Sequence, residues 1–493
     1  MDIERGMEPT SEEAKTFSKE DLQNLQEAEK LRMSLLSQEN LSPEMKQTLA
    51  TLNLSGLSGE VRQSLSGEED LTSTIEIQKE KGQVRIGSEH APIFSYNPEG
   101  IQWQPNFKSI KEGKYFAIEL VSSDGQIFTT EDIVTNDNDP KNPDVQATIE
   151  QVKSRQVKEQ EKIMAEVKRM IPEAPPNFAV TPYLVSKMEE FTRLTNHQRE
   201  QNEGITIVEG EAGTGKNWLV DYYGHLTERP VFRFTCSKSR ESQDFKYFLE
   251  YEPSRGTYRI NSSVIEAIRT PGAVLVLDEI NTTRPEVLKE LNSLLDYSRT
   301  VYYGENHLSQ KAAPGVLIVG LMNPEYYMGV EPLAETVRDR GLTMRIEYPP
   351  FETPDKEGKI TYKSDEALMV KQYFPGFQGV SNKDFNLIWD SEINKVALPE
   401  AVNLLTPERS VRLKQVKSLL QVASKVRNAY MAYRTAGGEA VPLSFSLRAS
   451  RDCAKFLAKV EKPDVKEVIK SIYLNKISDP EERMRMEALI EEV

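Results

Sequence analysis

At 493 residues, with 38% hydrophobic and 28% charged side chains, the chain has the size of roughly three domains and the polarity of a soluble protein. Its net charge of −15 weighs against a broadly basic nucleic-acid surface, and no apolar run approaches the roughly 20 residues that span a bilayer. Two distant cysteines (Cys236, Cys453) and four scattered histidines exclude a disulfide framework and a zinc cluster of regular spacing; the acidic start Met1-Asp2-Ile3-Glu4-Arg5 has no signal-peptide core, so a reducing cytoplasm is the expected compartment.

Residues 1–83 read as an acidic arm, helical in short stretches or disordered. Phe17 is its only aromatic residue, and Ser/Gly punctuation such as Ser55-Gly56-Leu57-Ser58-Gly59 breaks up amphipathic pieces such as Leu22 to Leu35. Residues 84–140 carry strand-like runs, among them Val84-Arg85-Ile86 and Tyr115 to Val121, separated by Gly100, Gly113 and Gly125; they predict a small β-rich module. Residues 141–176 predict a charged connecting helix with Ile149, Val152 and Val157 in its apolar stripe, ended by Pro172, Pro175 and Pro176.

From 177 to 350 strand and helix alternate, with strand candidates at 205–208, 231–234, 273–277, 316–320 and 343–347. That alternation predicts an α/β core on a parallel sheet. Residues 351–493 are helical, with expected helices at 407–433, 446–460, 463–475 and 479–492.

After the first core strand comes Gly210-Glu211-Ala212-Gly213-Thr214-Gly215-Lys216-Asn217. This is a phosphate-cradling loop in which the final Ser or Thr is replaced by Asn217. The glycines let backbone N–H groups approach phosphate oxygens, the following helix presents its positive end, and Lys216 is placed for the β- and γ-phosphates. A hydroxyl normally helps hold Mg²⁺ at position 217. An amide oxygen is also a hard neutral ligand, so two readings stand: Asn217 coordinates the ion, or it leaves a site that binds nucleotide and turns over slowly. Ala273 to Leu277 is a buried strand that ends in Asp278 and Glu279, where α/β folds bind ligands. Asp278 is the candidate Mg²⁺ ligand and Glu279 the candidate base for the attacking water.

The run Leu277-Asp278-Glu279-Ile280-Asn281, with Pro285-Glu286-Val287-Leu288 to Leu294-Leu295-Asp296, resembles AAA+ ATPases of the MoxR and dynein/midasin-related group over roughly residues 180–460. The resemblance implies a P-loop AAA+ core of parallel strands with a C-terminal helical lid, using ATP and Mg²⁺. It also implies Asn323, in Leu321-Met322-Asn323-Pro324, as the polar sensor, and Arg340, in Val337-Arg338-Asp339-Arg340-Gly341, as the arginine finger offered to a neighbouring subunit. Arg448, in Ser446-Leu447-Arg448-Ala449, takes the place of the lid's sensor arginine, with Arg451 on the same face. Gly341 departs from the usual aromatic residue after the finger. By the same resemblance the chain acts in a ring, expected to be a hexamer, and remodels a protein client, among relatives often one with a von Willebrand A domain. Two other readings stay open: a nucleotide-gated scaffold with weak hydrolysis, and a nucleic-acid-associated motor or GTPase, the motor disfavoured by the acidic charge.

Overall fold

The computed structural model describes residues 74–95, 103–110, 114–122, 127–174, 179–253, 256–303, 308–327, 330–354, 358–436, 441, 443–460 and 464–492. Nearly all of the predicted acidic arm lies outside the described residues.

The strands expected between 84 and 135 divide between two antiparallel sheets. The first is β1 (Ile75–Gln78), β2 (Gln83–Ile86) and β3 (Glu89–Pro92); the second is β4 (Trp103–Ile110), β5 (Tyr115–Ser122) and β6 (Ile127–Thr135). Helix α1 (Pro143–Val167) follows, and its first half packs on the second sheet. Val145, Ile149 and Val152 bury themselves against Ile118 and Leu120, so this part of the helix is one wall of a small core.

The α/β core starts at α2 (Pro182–Gln201). Its N-cap is Thr181, whose hydroxyl accepts from the Leu184 amide at 3.2 Å, and Pro182 stands where a missing N–H costs nothing. In chain order the core then runs β7 (Ile205–Gly210), α3 (Lys216–Leu226), β8 (Val231–Thr235), the hairpin β9 (Tyr247–Glu252) and β10 (Gly256–Asn261), α4 (Ser263–Arg269) and β11 (Val274–Asp278). The one-turn helices Pro285–Leu288 and Asn292–Leu295 lead to a second hairpin, β12 (Thr300–Tyr303) and β13 (Leu308–Lys311), and then to β14 (Leu317–Met322), the one-turn helix Glu335–Arg338 and β15 (Gly341–Ile346). Five strands form a single parallel sheet in the order β15-β7-β14-β11-β8. All five expected core strands are present in it.

Side chains of the central strands alternate between two buried faces, which explains why these segments read as continuous apolar runs. Leu275 and Leu277 of β11 point with Ile318 toward α4; Val274 and Val276 point with Val208 and Val319 toward α2 and α3. Each such side chain contributes about 1.5–3 kcal/mol when fully buried. The β1–β3 sheet packs on the second of these faces, where Val84, Ile86 and Ala91 share a cluster with Leu184, Phe191 and Leu219.

A short ribbon, β16 (Glu352–Pro354) with β17 (Ile360–Tyr362), opens the helical lid. The lid comprises α5 (Asp365–Lys371), α6 (Asn382–Glu392), α7 (Pro407–Ala436), α8 (Leu447–Lys459), α9 (Val465–Tyr473) and α10 (Pro480–Glu491). Its core gathers Phe374, Phe385, Trp389, Leu413, Leu420 and Phe445. Inside the lid Glu366 and Arg427 form a bidentate ion pair at 2.6 and 2.9 Å. Core and lid meet through defined bonds: the Tyr183 amide donates to Asp365 Oδ1 at 3.0 Å, and Asn382 Nδ2 donates to the Val180 carbonyl at 3.1 Å.

Candidate nucleotide site

β7 delivers the chain to the top of the sheet at Gly210, and the loop 210–217 turns from that strand into α3. Gly215 caps α3 with a left-handed backbone, φ 101°. Gly213 is also left-handed, φ 75°, and a Cβ there would stand 2.7 Å from the Ser446 Cβ. Ser446 is the N-cap of α8, so glycine at 213 is what lets this lid helix touch the phosphate loop.

Lys216 is folded into the loop. Its ammonium donates to the Gly210 carbonyl (2.6 Å), the Glu211 carbonyl (2.9 Å) and Asn323 Oδ1 (3.0 Å), which engages all three donors. Burial lowers its pKa to about 8, against the opposing pull of Glu211, Asp278, Glu279 and Glu209. Asn323 follows β14 directly, and its carbonyl accepts from Asn281 Nδ2 at 2.7 Å, which fixes the loop that carries it. Asp278 ends β11, the strand next to β14. Glu279 follows with a left-handed backbone, φ 54°, unusual for a residue with a side chain. That turn brings both carboxylates to one cavity, and neither makes a side-chain hydrogen bond or ion pair to another described residue.

The cavity has a volume of about 610 Å³. Ala212 to Asn217, Asp278, Glu279 and Asn323 line one side; Arg448 and Arg451 reach it from α8. Its apolar end is made by Leu184 of α2 with Met369, Val370 and Tyr373 of the lid. Asn217 lines the cavity too, but its side-chain oxygen accepts from Arg233 Nη1 at 2.6 Å. Arg233 lies on β8 beside Val276, and its other arm pairs with Asp221 of α3 at 2.6 Å. Arg340 and Arg338 do not line this cavity. Arg340 donates to the Thr336 carbonyl at 2.8 Å, and Arg338 pairs with Glu325 at 2.7 Å.

Three contributors, Arg233, Tyr326 and Tyr327, escape sequence reasoning, whereas Glu211 is expected in the phosphate loop and only its phenol partners are not. Arg233 is a lone cation in the strand Val231-Phe232-Arg233-Phe234-Thr235, where alternation marks it as pointing the same way as Val231. Glu211 is nearly buried at 6% exposure and accepts from the hydroxyls of Tyr326 and Tyr327. The doublet Tyr326-Tyr327 close behind Asn323 is the signal that a sequence reader has available.

The family model for the AAA domain (dynein-related subfamily) matches residues 205–340. An uncharacterized protein of Staphylococcus epidermidis is 30% identical over 149 residues, covering 29% of this chain and 55% of its own length. A Staphylococcus aureus protein is 29% identical with the same coverage. The aligned segment thus spans about half the length of these curated relatives. A solved structure from Cytophaga hutchinsonii aligns over 69% of this chain and 98% of its own at 14% identity, with a TM-score of 0.26, too low to carry an argument. Residues 205–340, which hold the phosphate loop and the strands β7, β14, β11 and β8 of the parallel sheet, are thus the part of the chain that is similar to the dynein-related AAA domain.

Proposed function

We propose that the chain hydrolyses ATP and uses the movement of lid against core to remodel a protein partner, in the manner of MoxR-type chaperones. One observation carries the reading: Lys216, Asp278, Glu279 and Asn323 of the core and Arg448 and Arg451 of the lid converge on a single cavity. Lys216 and the loop amides bind the triphosphate, and the apolar end beside Tyr373 takes the base. Glu279, exposed and without a side-chain partner among the described residues, takes a proton from the attacking water. Asn323 holds that water or the γ-phosphate by hydrogen bonding. Arg448 reports the γ-phosphate to the lid.

The donor set suits a hard divalent cation, because Asp278 offers an unpaired carboxylate at the cavity and Asn217 an amide oxygen once it parts from Arg233. Bound Mg²⁺ would neutralise charge on the phosphate oxygens. Arg340, which does not line its own cavity, is the residue for a neighbouring subunit's site, which is the reason for proposing a ring, expected to be a hexamer. No helix among the described residues is long and apolar enough to cross a membrane. The client is proposed to be a protein, with a von Willebrand A domain the candidate from resemblance.

The test is steady-state phosphate release by the wild type and by Glu279→Gln. The wild type turns over, and the variant binds ATP while losing about 10²–10⁴ in rate. Equal rates would sink the assignment. The Asn217–Arg233 hydrogen bond favours a second reading, a nucleotide-gated scaffold; ATP binding without measurable phosphate release would select it.

A further inference from the structure

Glu211 places a carboxylate in a loop whose work is to hold an anion. A buried carboxylate is costly unless it is hydrogen-bonded. Glu211 is satisfied by two phenols, Tyr326 and Tyr327, which each donate to one of its oxygens. It does not line the nucleotide cavity. It faces a separate cavity of about 880 Å³ on the far side of the loop, together with Tyr326 and Met431. Burial raises its pKa, and Tyr327, Lys216 and Arg434 pull it back.

The two phenols belong to the loop that carries Asn323. Tyr327 closes a turn on Pro324, its amide donating to the Pro324 carbonyl at 3.1 Å, and its hydroxyl accepts from the Ala212 amide at 3.2 Å. The rings of Tyr326 and Tyr327 stack at 5.7 Å. From the other side come Tyr430 and Arg434, one turn apart on α7. Arg434 lies 5.9 Å over the Tyr326 ring and 5.2 Å over that of Tyr430, and donates to the Tyr326 carbonyl at 3.4 Å.

We propose that Glu211 is a positioning residue: it clamps the Asn323 loop to the phosphate loop from behind, and α7 of the lid closes the clamp. Through it the aim of Asn323 at Lys216 depends on where the lid helix sits. A carboxylate is suited to the position because it offers a separate acceptor oxygen to each hydroxyl, where an amide of the same size would put a donor NH₂ in place of one of them. The clamp rests on the ATPase reading for its effect on rate, but not for its existence.

The experiment uses the full chain with Glu211→Ala, Tyr327→Phe and the double variant. ATP affinity is read from the fluorescence of Trp218, which lines the nucleotide cavity, alongside phosphate release and amide hydrogen exchange over 323–327 and 430–434. Each single variant is expected to keep its ATP Kd within about threefold, to lose at least about tenfold in kcat, and to exchange faster in both segments. The double variant is expected to be no worse than the weaker single one, as members of one network behave. Losses that add, an unchanged kcat in an active enzyme, or affinity falling in step with kcat overturn the clamp. Tyr327→Phe removes one hydroxyl and keeps the ring, which guards against misfolding. If the wild type binds ATP and releases no phosphate, the ATPase reading alone fails; exchange then decides, and an unchanged 430–434 segment in both single variants overturns the clamp.

Discussion

Lys216 and Asn323 are joined directly, ammonium to amide oxygen at 3.0 Å, so one hydrogen bond ties the loop after β7 to the loop after β14. These strands are neighbours in the sheet, with Met322 level with Glu209. The phosphate-loop lysine and the proposed sensor therefore share a setting that is buried enough to lower the lysine's pKa.

Lys216 predicts a pH dependence for ATP binding. Burial brings its folded pKa from the ordinary 10.5 to about 8, and the cation is the form that binds phosphate. Affinity should fall as pH rises through about 8, by about tenfold between pH 7 and pH 9, since one unit above the pKa leaves roughly a tenth of the lysine charged. Stability runs the other way. The unfolded chain holds this proton more tightly, so between about pH 8 and 10.5 the contribution of Lys216 to stability rises with pH. Calorimetric titration at four or five pH values checks the first slope; a flat profile to pH 9 would show that the lysine stays charged in the loop.

The core is legible because parallel strands buried on both faces must be largely apolar, and Ile205 to Val208 (Thr206 apart), Ala273 to Leu277 and Val316 to Gly320 have no other use for that composition. The lid helices are legible through their ends: Ser446, Asp464 and Asp479 each cap one with a side-chain hydrogen bond. The hairpins β9–β10 and β12–β13 are less so, being exposed on much of their surface and free of strong alternation. At the site, residues defined by spacing along a motif can be named in advance. Arg233, Tyr326 and Tyr327 act across the fold, and only the register of β8 beside β11 and the turn after β14 bring them to the loop.

Asn217 gives a prediction that turns on Arg233. Replacing Asn217 by Thr removes the acceptor 2.6 Å from the guanidinium, leaves Arg233 on Asp221, and supplies a hydroxyl at the cavity. Turnover should be preserved or raised, and the Mg²⁺ concentration for half-maximal phosphate release should fall. A loss of tenfold or more across the titration would mean that holding Arg233 is what the amide is for.

Gly213→Ala tests the contact between lid and loop. A left-handed backbone costs an L-residue about 1–2 kcal/mol, and the new methyl carbon would meet the Ser446 Cβ at 2.7 Å. Melting temperature should drop by a few degrees, and ATP should add less to it than in the wild type because α8 is pushed off the loop. Equal ATP-induced shifts in the two proteins would show that the lid seats on nucleotide without this contact.

Arg340 makes the sharpest claim about assembly. It donates to the Thr336 carbonyl within its own subunit and lines no part of its own nucleotide cavity, so its use in hydrolysis requires a second copy. Arg340→Ala should bind ATP as the wild type does and lose about 10³–10⁵ in kcat, the range for an arginine finger acting on transition-state charge. Lys216→Ala should fail to bind. Mixed one to one, the two inactive variants should recover activity, because some interfaces then pair an intact Lys216 with an intact Arg340 from its neighbour; random assembly places about a quarter of sites in that state. Recovery is read as phosphate release against the fraction of each variant. If Arg340→Ala keeps its rate, the finger is elsewhere, with Arg338 the next residue to replace; if it loses its rate and mixtures stay inactive at every ratio, Arg340 does not work across an interface and the case for a ring falls with it.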